Sequence, residues 1–173
     1  AGRALKRHFF VSEPTARRIV LASDNPGKLR EIRALLAPLG FQVIRQADFG
    51  LRTPPETGAT FEENALLKAR AIADYTGLPA VADDSGLCVD ALNGMPGVLS
   101  ARWAGRHGDD KANLELVLAQ VTDVPDSRLG ARFVCAAALV VPGPASRQWV
   151  VTGQVEGRLI RAPRGSGGFG YDP

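Results

Sequence analysis

Residues 81–86 read VADDSG: two carboxylates, Asp83 and Asp84, stand side by side where the apolar run Pro79-Ala80-Val81-Ala82 meets an expected Ser-Gly turn. A carboxylate held at the end of a strand can ligate a hard cation such as Mg²⁺ or take a proton from water. Successive side chains of a strand point to opposite faces, so the two acids cannot share one ligand if the strand runs through both. One is expected to face the chemistry, the other to brace the chain through backbone or lysine contacts. Other stretches carry compatible groups. SDNPGK (23–28) places Lys28 in the first turn of a helix that follows a strand, where free N–H groups and the helix dipole favour an anion such as phosphate. Its spacing fits neither the Walker A loop nor the dinucleotide fingerprint. Asn64 and Lys68 are four residues apart, on one face of a helix, and Glu56 stands just upstream in a proline-rich loop. GSGGFGYDP (165–173) joins four glycines, which permit close ligand approach, to Phe169 and Tyr171, which can stack on a base.

These groups need elements to hold them. RIVLAS (18–23) has strand length, and Leu29, Ile32, Leu35, Leu36 and Leu39 recur at helical spacing behind it. Asn25 suits the N-cap, Pro26 the first helical position and Gly40 the end. FQVIRQ (41–46) reads as a second strand. TFEE (60–63) matches a capping box, opening a helix expected to reach Tyr75 or Thr76 before Gly77 stops it. PAVAD and LCVD (87–90) read as two strands, followed by the turn-rich NGMPG. Asp109 or Asp110 caps a third helix with Leu114, Val117, Leu118 and Val121 on one face. Residues 131–141 and 147–157, joined by PGPAS, form an antiparallel hairpin. Alternating strands and helices followed by a hairpin predict an α/β protein with a mixed sheet flanked by helices.

The 173 residues (18.3 kDa, 45% apolar) suit a single domain, expected over 18–173 behind a flexible basic extension, 1–17. The longest apolar stretches, such as 134–141, are far shorter than the roughly 20 residues of a membrane-spanning helix, and a cytoplasmic protein is expected. The formal charge of +3 comes from the beginning of the chain: residues 1–18 hold five Lys/Arg against Glu13, and the remainder carries 16 basic and 17 acidic residues. A near-neutral body without a basic, aromatic-studded stripe makes nucleic acid an unexpected partner. Cys88 and Cys135 each lie in an apolar run and are expected to be buried, reduced thiols.

Taken in order, SDNPGKLREI, PETGATFEENALLKA, VADDSGLCVDALNGMPGVLSARWAG and GGFGYDP resemble the family of inosine/xanthosine triphosphate pyrophosphatases, which act on noncanonical purine nucleotides; the resemblance covers about residues 18–173. It implies an elongated mixed sheet with two lobes around a nucleotide cleft, a homodimer, and Mg²⁺-dependent hydrolysis of ITP, dITP or XTP to the monophosphate and pyrophosphate. By the same resemblance, Ser23, Asp24, Asn25, Pro26, Gly27 and Lys28 form the triphosphate loop, Lys68 meets phosphate oxygens and Asn64 orders the site. Glu56 and Asp84 hold the metal, Asp84 also accepts the proton of the attacking water, Ser85 touches the nucleotide, and Phe169, Gly170, Tyr171 and Asp172 line the base side. Two departures stand out. The family's first loop usually begins Thr-Gly-Asn, and here Asp24 replaces the glycine, its side chain expected to point away from the phosphates. The family also continues beyond the position of Pro173, through a strand and a helix, to a lysine and a Ser-His-Arg motif that reads the purine 6-oxo group, so the chain is expected to be truncated. Pyrophosphatases for other modified nucleotides (Maf-like proteins), or a nucleotide-binding module without turnover, are the alternatives.

Overall fold

The computed structural model describes residues 17–164, 170 and 171. The basic stretch 1–16 lies outside them, and Arg17, assigned to that extension by sequence, opens β1 (Arg17–Leu21). Asn25 caps α1 (Pro26–Leu36) as expected, its Oδ1 accepting the N–H groups of Gly27 and Lys28 at 2.8 and 3.3 Å. A 3₁₀ turn follows, and Gly40 reverses the chain at φ 77°, where a side chain would be strained. β2 (Phe41–Arg45) then lies parallel to β1. Thr60 caps α2 (Phe61–Thr76) by accepting the Glu63 N–H at 3.1 Å. The Glu63 carboxylate takes the N–H of Ala59 at 2.7 Å, one residue outside the usual capping box.

The largest departure from expectation is β3 (Ala80–Val89). PAVAD and LCVD are one ten-residue strand, and Ser85-Gly86 is not a turn. β4 (Gly130–Val141) supplies an unbroken antiparallel ladder, from Ala80↔Val140 to Val89↔Ala131, which keeps the chain extended through both acids. Gly86 marks a close approach instead: a Cβ there would collide with the Gly97 carbonyl and come within 2.5 Å of Ser100 Oγ. β5 (Arg147–Arg158) completes the predicted hairpin, and the sheet order is β2-β1-β3-β4-β5, parallel on one side and antiparallel on the other. The mixed α/β class is as expected.

Helices cover the two faces unequally. On one, α2 lays Phe61, Ala65, Ala69, Ile72 and Ala73 against Val20, Ala80, Ala82, Ala136, Ala138 and Val140. Small residues on both sides let helix and sheet approach closely. On the other, α1 covers Ile19, Leu21 and Val43 at one end. At the far end α3 (Asp110–Gln120), capped by Asp109, packs Val117, with Val121 just beyond it, on Leu87, Val89, Leu129 and Ala131. The covered ends form two lobes, and the stretch between them carries Asp83 and the exposed Ser85 and Cys135. Cys135 thus departs from the buried thiol expected, because its strand position shares the face of Ser85; Cys88, on the α2 face, is buried. No helix among the described residues is long and apolar enough to cross a membrane.

Candidate active site

β1 pairs with β3 only at Val20↔Ala80 and Leu21↔Val81, the last contact being Ala22 N–H to the Val81 carbonyl at 2.9 Å. From Ala82 to Leu87 β3 has strand pairing on its β4 side alone; beyond that its other edge is taken up again, where Cys88 bridges Pro96 and the Val89 N–H meets the Met95 carbonyl at 3.0 Å. Alternation along the strand turns the main-chain groups of Asp83 and Ser85 away from β4, toward the edge where Leu87 N–H meets Ser100 Oγ at 2.9 Å. This free edge separates two clusters of charge, one on each face of the sheet.

On the open face the Lys28 ammonium forms an ion pair with Asp83 and stands 3.4 Å from Ser85 Oγ. The contact ties the start of α1 to β3 across 55 residues of chain. The N–H groups at the start of α1, expected to be free, are taken up. Asn25 Oδ1 occupies those of Gly27 and Lys28, Ser23 Oγ accepts from Asn25 N–H at 3.1 Å, and the Asn25 carbonyl takes the N–H of Leu29. Pro26 has none to give. At the helix start the capacity for an anion therefore rests on the Lys28 ammonium. Asp24 is turned aside: Thr53 donates its hydroxyl to Asp24 Oδ2 at 3.1 Å while accepting from Nε2 of the fully buried Gln46 at 2.7 Å.

On the α2 face Asp84 and Lys68 are buried and Glu56 is half-buried. Asp84 is 6% exposed and Lys68 5%. Lys68 Nζ donates to Glu56 Oε1 at 2.6 Å and to Asp84 Oδ1 at 3.4 Å, so one ammonium joins two carboxylates. Asn64, one helical turn before it, donates to Asp84 Oδ2 at 3.0 Å and accepts the Gly58 N–H at 2.8 Å. A Cβ on Gly58 would lie 2.7 Å from that same Asn64 oxygen, so the residue here must be glycine. Burial is the largest influence on Asp84 and pushes its pKa up; the Glu56 charge adds to it, and Lys68 only partly opposes them. Burial also pushes Glu56 up, but Lys68 and Arg102 together outweigh it and hold its carboxyl below the usual range. Two carboxylates whose environments drive them apart are a common arrangement where one stays charged and the other exchanges a proton.

The reading of the sequence missed Arg102. Its Nη1 donates to Glu56 Oε2 at 3.3 Å and its Nη2 to the Glu56 carbonyl at 3.4 Å. No periodicity links residues 46 apart in sequence, and only the fold brings them together. Glu56 and Asp84 are the carboxylates that could hold a cation. That both converge on one positive nitrogen shows a geometry suited to it, although no group of three or more His, Cys, Asp or Glu able to hold a metal occurs among the described residues. Two oxygen donors suit an ion such as Mg²⁺, which completes its shell with water and phosphate. Of the glycine-rich stretch, Phe169 and Asp172 lie outside the described residues. Gly170 N–H donates to Asp110 Oδ2 at 3.2 Å, and Tyr171, packed in the α3 cluster, donates its hydroxyl to the Ser100 carbonyl at 2.9 Å. Burial pushes the Tyr171 phenol up to about 12.

A two-lobed mixed sheet with an acid and a lysine on each face of one open strand edge describes a class of α/β proteins equipped to meet a polyanion. Comparison with known proteins narrows the class. The chain belongs to the Ham1 family, whose model matches residues 19–173, in agreement with the resemblance seen in the motifs. It is 60% identical over 159 residues to a dITP/XTP pyrophosphatase of Streptomyces coelicolor, an alignment covering 90% of this chain and 78% of that protein. A protein of the same name from Nocardia farcinica is 59% identical, with 92% and 78% covered. Among solved structures, a nucleoside-triphosphatase / dITP/XTP pyrophosphatase of Mycobacterium abscessus superposes with a TM-score of 0.78 at 55% identity, covering 90% of this chain and 81% of that one. A HAM1 protein of Coxiella burnetii gives 0.82 at 46%, with 91% and 80% covered.

Proposed function

We propose that the protein hydrolyses noncanonical purine nucleoside triphosphates (ITP, dITP and XTP) to the monophosphate and pyrophosphate, in the cytoplasm and as a homodimer. The observation that carries this reading is the network of half-buried Glu56 with buried Lys68, Asp84 and Asn64, on the opposite side of an open strand edge from Lys28 and Ser85. The printed names of the relatives supply the substrate class.

In this reading the triphosphate lies along the β3 edge. Lys28 and Lys68 offset its charge from the two faces, and Ser85 contacts the nucleotide. Asp84, whose pKa burial raises, accepts the proton of a water whose oxygen attacks the α-phosphorus; the bond from that phosphorus to the bridging oxygen breaks and pyrophosphate leaves. Asn64 holds Asp84 by Oδ2, and Oδ1, which Lys68 meets at 3.4 Å, is released to act as that ammonium turns to the phosphates. Glu56 and Asp84 would hold Mg²⁺, which supplies charge neutralisation at the phosphates. Phe169, Gly170, Tyr171 and Asp172 border the base in the same proposal. The test is pyrophosphate release by the full chain with Mg²⁺: turnover of ITP or XTP is expected to far exceed that of ATP or GTP, and equal turnover of all four would defeat the proposal.

A further inference from the structure

Glu56 sits in a stretch, 51–60, that contains neither helix nor strand, so side chains must fix its position. Two cations do so, one on each carboxylate oxygen: Lys68 on Oε1 and Arg102 on Oε2. The two are not equivalent. Lys68 is shared with Asp84 and, in the proposed function, with the phosphates, whereas the side-chain hydrogen bonds of Arg102 among the described residues go to Glu56 alone.

The base from which Arg102 reaches is rigid. It ends a 3₁₀ segment, Gly97–Arg102, seated against β3 where Gly86 leaves room. Ser100 Oγ accepts Leu87 N–H at 2.9 Å and donates to the Gly97 carbonyl at 2.6 Å, and Tyr171 donates to the Ser100 carbonyl. The Ala101 and Arg102 carbonyls take the N–H groups of Gly108 and Gly105, each at 2.8 Å. Arg102 and Asp84 are thereby anchored to the same strand, and Glu56 is not.

We infer that Arg102 is a positioning residue. Its guanidinium grips the carboxylate and the main-chain carbonyl of Glu56 together, and so keeps Glu56 in register with Asp84 when Lys68 turns to the phosphates. A planar fork of donors can hold two acceptors in fixed directions, which an ammonium does less well. The inference rests on the proposed function and adds to it a residue that touches neither substrate nor metal.

The experiment titrates Mn²⁺ into the full chain by electron paramagnetic resonance, with and without an α,β-imido analogue of ITP, which this reaction cannot cleave, for wild type, Arg102→Gln and Arg102→Lys. Removal of a group that orients a metal ligand commonly costs 10–100-fold in metal affinity. Arg102→Gln is expected to weaken Mn²⁺ binding by about tenfold and to raise the Mg²⁺ concentration needed for turnover, with the nucleotide KM within about twofold of wild type. Arg102→Lys is expected to recover less than half of the lost affinity. Mn²⁺ affinity of Arg102→Gln within about twofold of wild type overturns the inference, as does complete recovery by lysine, which would reduce the role to charge. Should the glutamine variant fail to fold, the lysine variant decides alone: weaker binding supports the inference and unchanged binding overturns it. Wild-type protein that releases no pyrophosphate from ITP or XTP defeats the proposed function instead, so the two failures are distinguishable.

Discussion

Asp83 and Asp84 are the same residue type, adjacent in one strand, yet their surroundings have little in common. Asp83 faces the cleft between the lobes with Lys28 as its ion-pair partner. Asp84 faces α2, nearly excluded from solvent, with Asn64 and Lys68 on it and Glu56 on the far side of the same lysine. The ammonium pairing with Asp83 stands on the first turn of a helix beside a cleft, where a ligand can compete for it. Asp84 has its orientation settled by an amide that is itself held by the main chain of Gly58. A carboxylate required to accept a proton needs a fixed direction, and the α2 face provides it to Asp84 together with the burial that raises its pKa. The difference comes from the helix covering, since the strand treats the two residues identically apart from their side.

If the α2 face carries the chemistry, Asp84→Asn should reduce pyrophosphate release by at least about 10²-fold while leaving a folded protein, since the amide keeps the shape and can keep the Asn64 contact. A rate near wild type, measured after circular dichroism has confirmed folding, would remove Asp84 from the mechanism. Asp83→Asn should cost much less, under about tenfold, and mainly in KM, because it loosens Lys28 without touching the Glu56–Asp84 pair. Steady-state kinetics of both variants decide the matter, and equal losses would erase the distinction between the faces.

The smallest effect concerns stability against pH. The folded-state pKa of Glu56 is lowered, so its contribution is present above the ordinary glutamate value and is lost as pH falls through the lowered one. Asp84 has the opposite sign: its folded-state pKa is raised, so its contribution is present below the ordinary aspartate value and lost as pH rises through the raised one. Melting temperatures from pH 6 to pH 3 should therefore fall less steeply for Glu56→Gln than for wild type, since glutamine has no proton to take up. Parallel curves would show that Glu56 is not held ionised by Lys68 and Arg102.

Much of this could be read from residue types and spacing because the physics there is local. Asn25 and Pro26 announce the start of α1, Thr60 and Glu63 that of α2, and four-residue spacing puts Asn64 and Lys68 on one helix face. Strand alternation by itself separates the roles of Asp83 and Asp84. Elsewhere local signals misled. Ser85-Gly86 has the composition of a turn, but a twelve-residue partner strand holds it extended, and its glycine answers to the crowding of Gly97 and Ser100. The loop amides of α1 look free until the cap beside them takes them up.

Sequence alone determined the helices, most of the strands though not the unbroken β3, the separation of the two acids and the family, since each follows from short-range spacing or from the order of motifs. Tertiary structure decided which face α2 would bury, and therefore which acid loses its water. It also brought Arg102 to Glu56 and Lys28 to Asp83 across 46 and 55 residues. Those pairings depend on the packing of whole elements against a sheet, and no local pattern encodes where two distant segments meet.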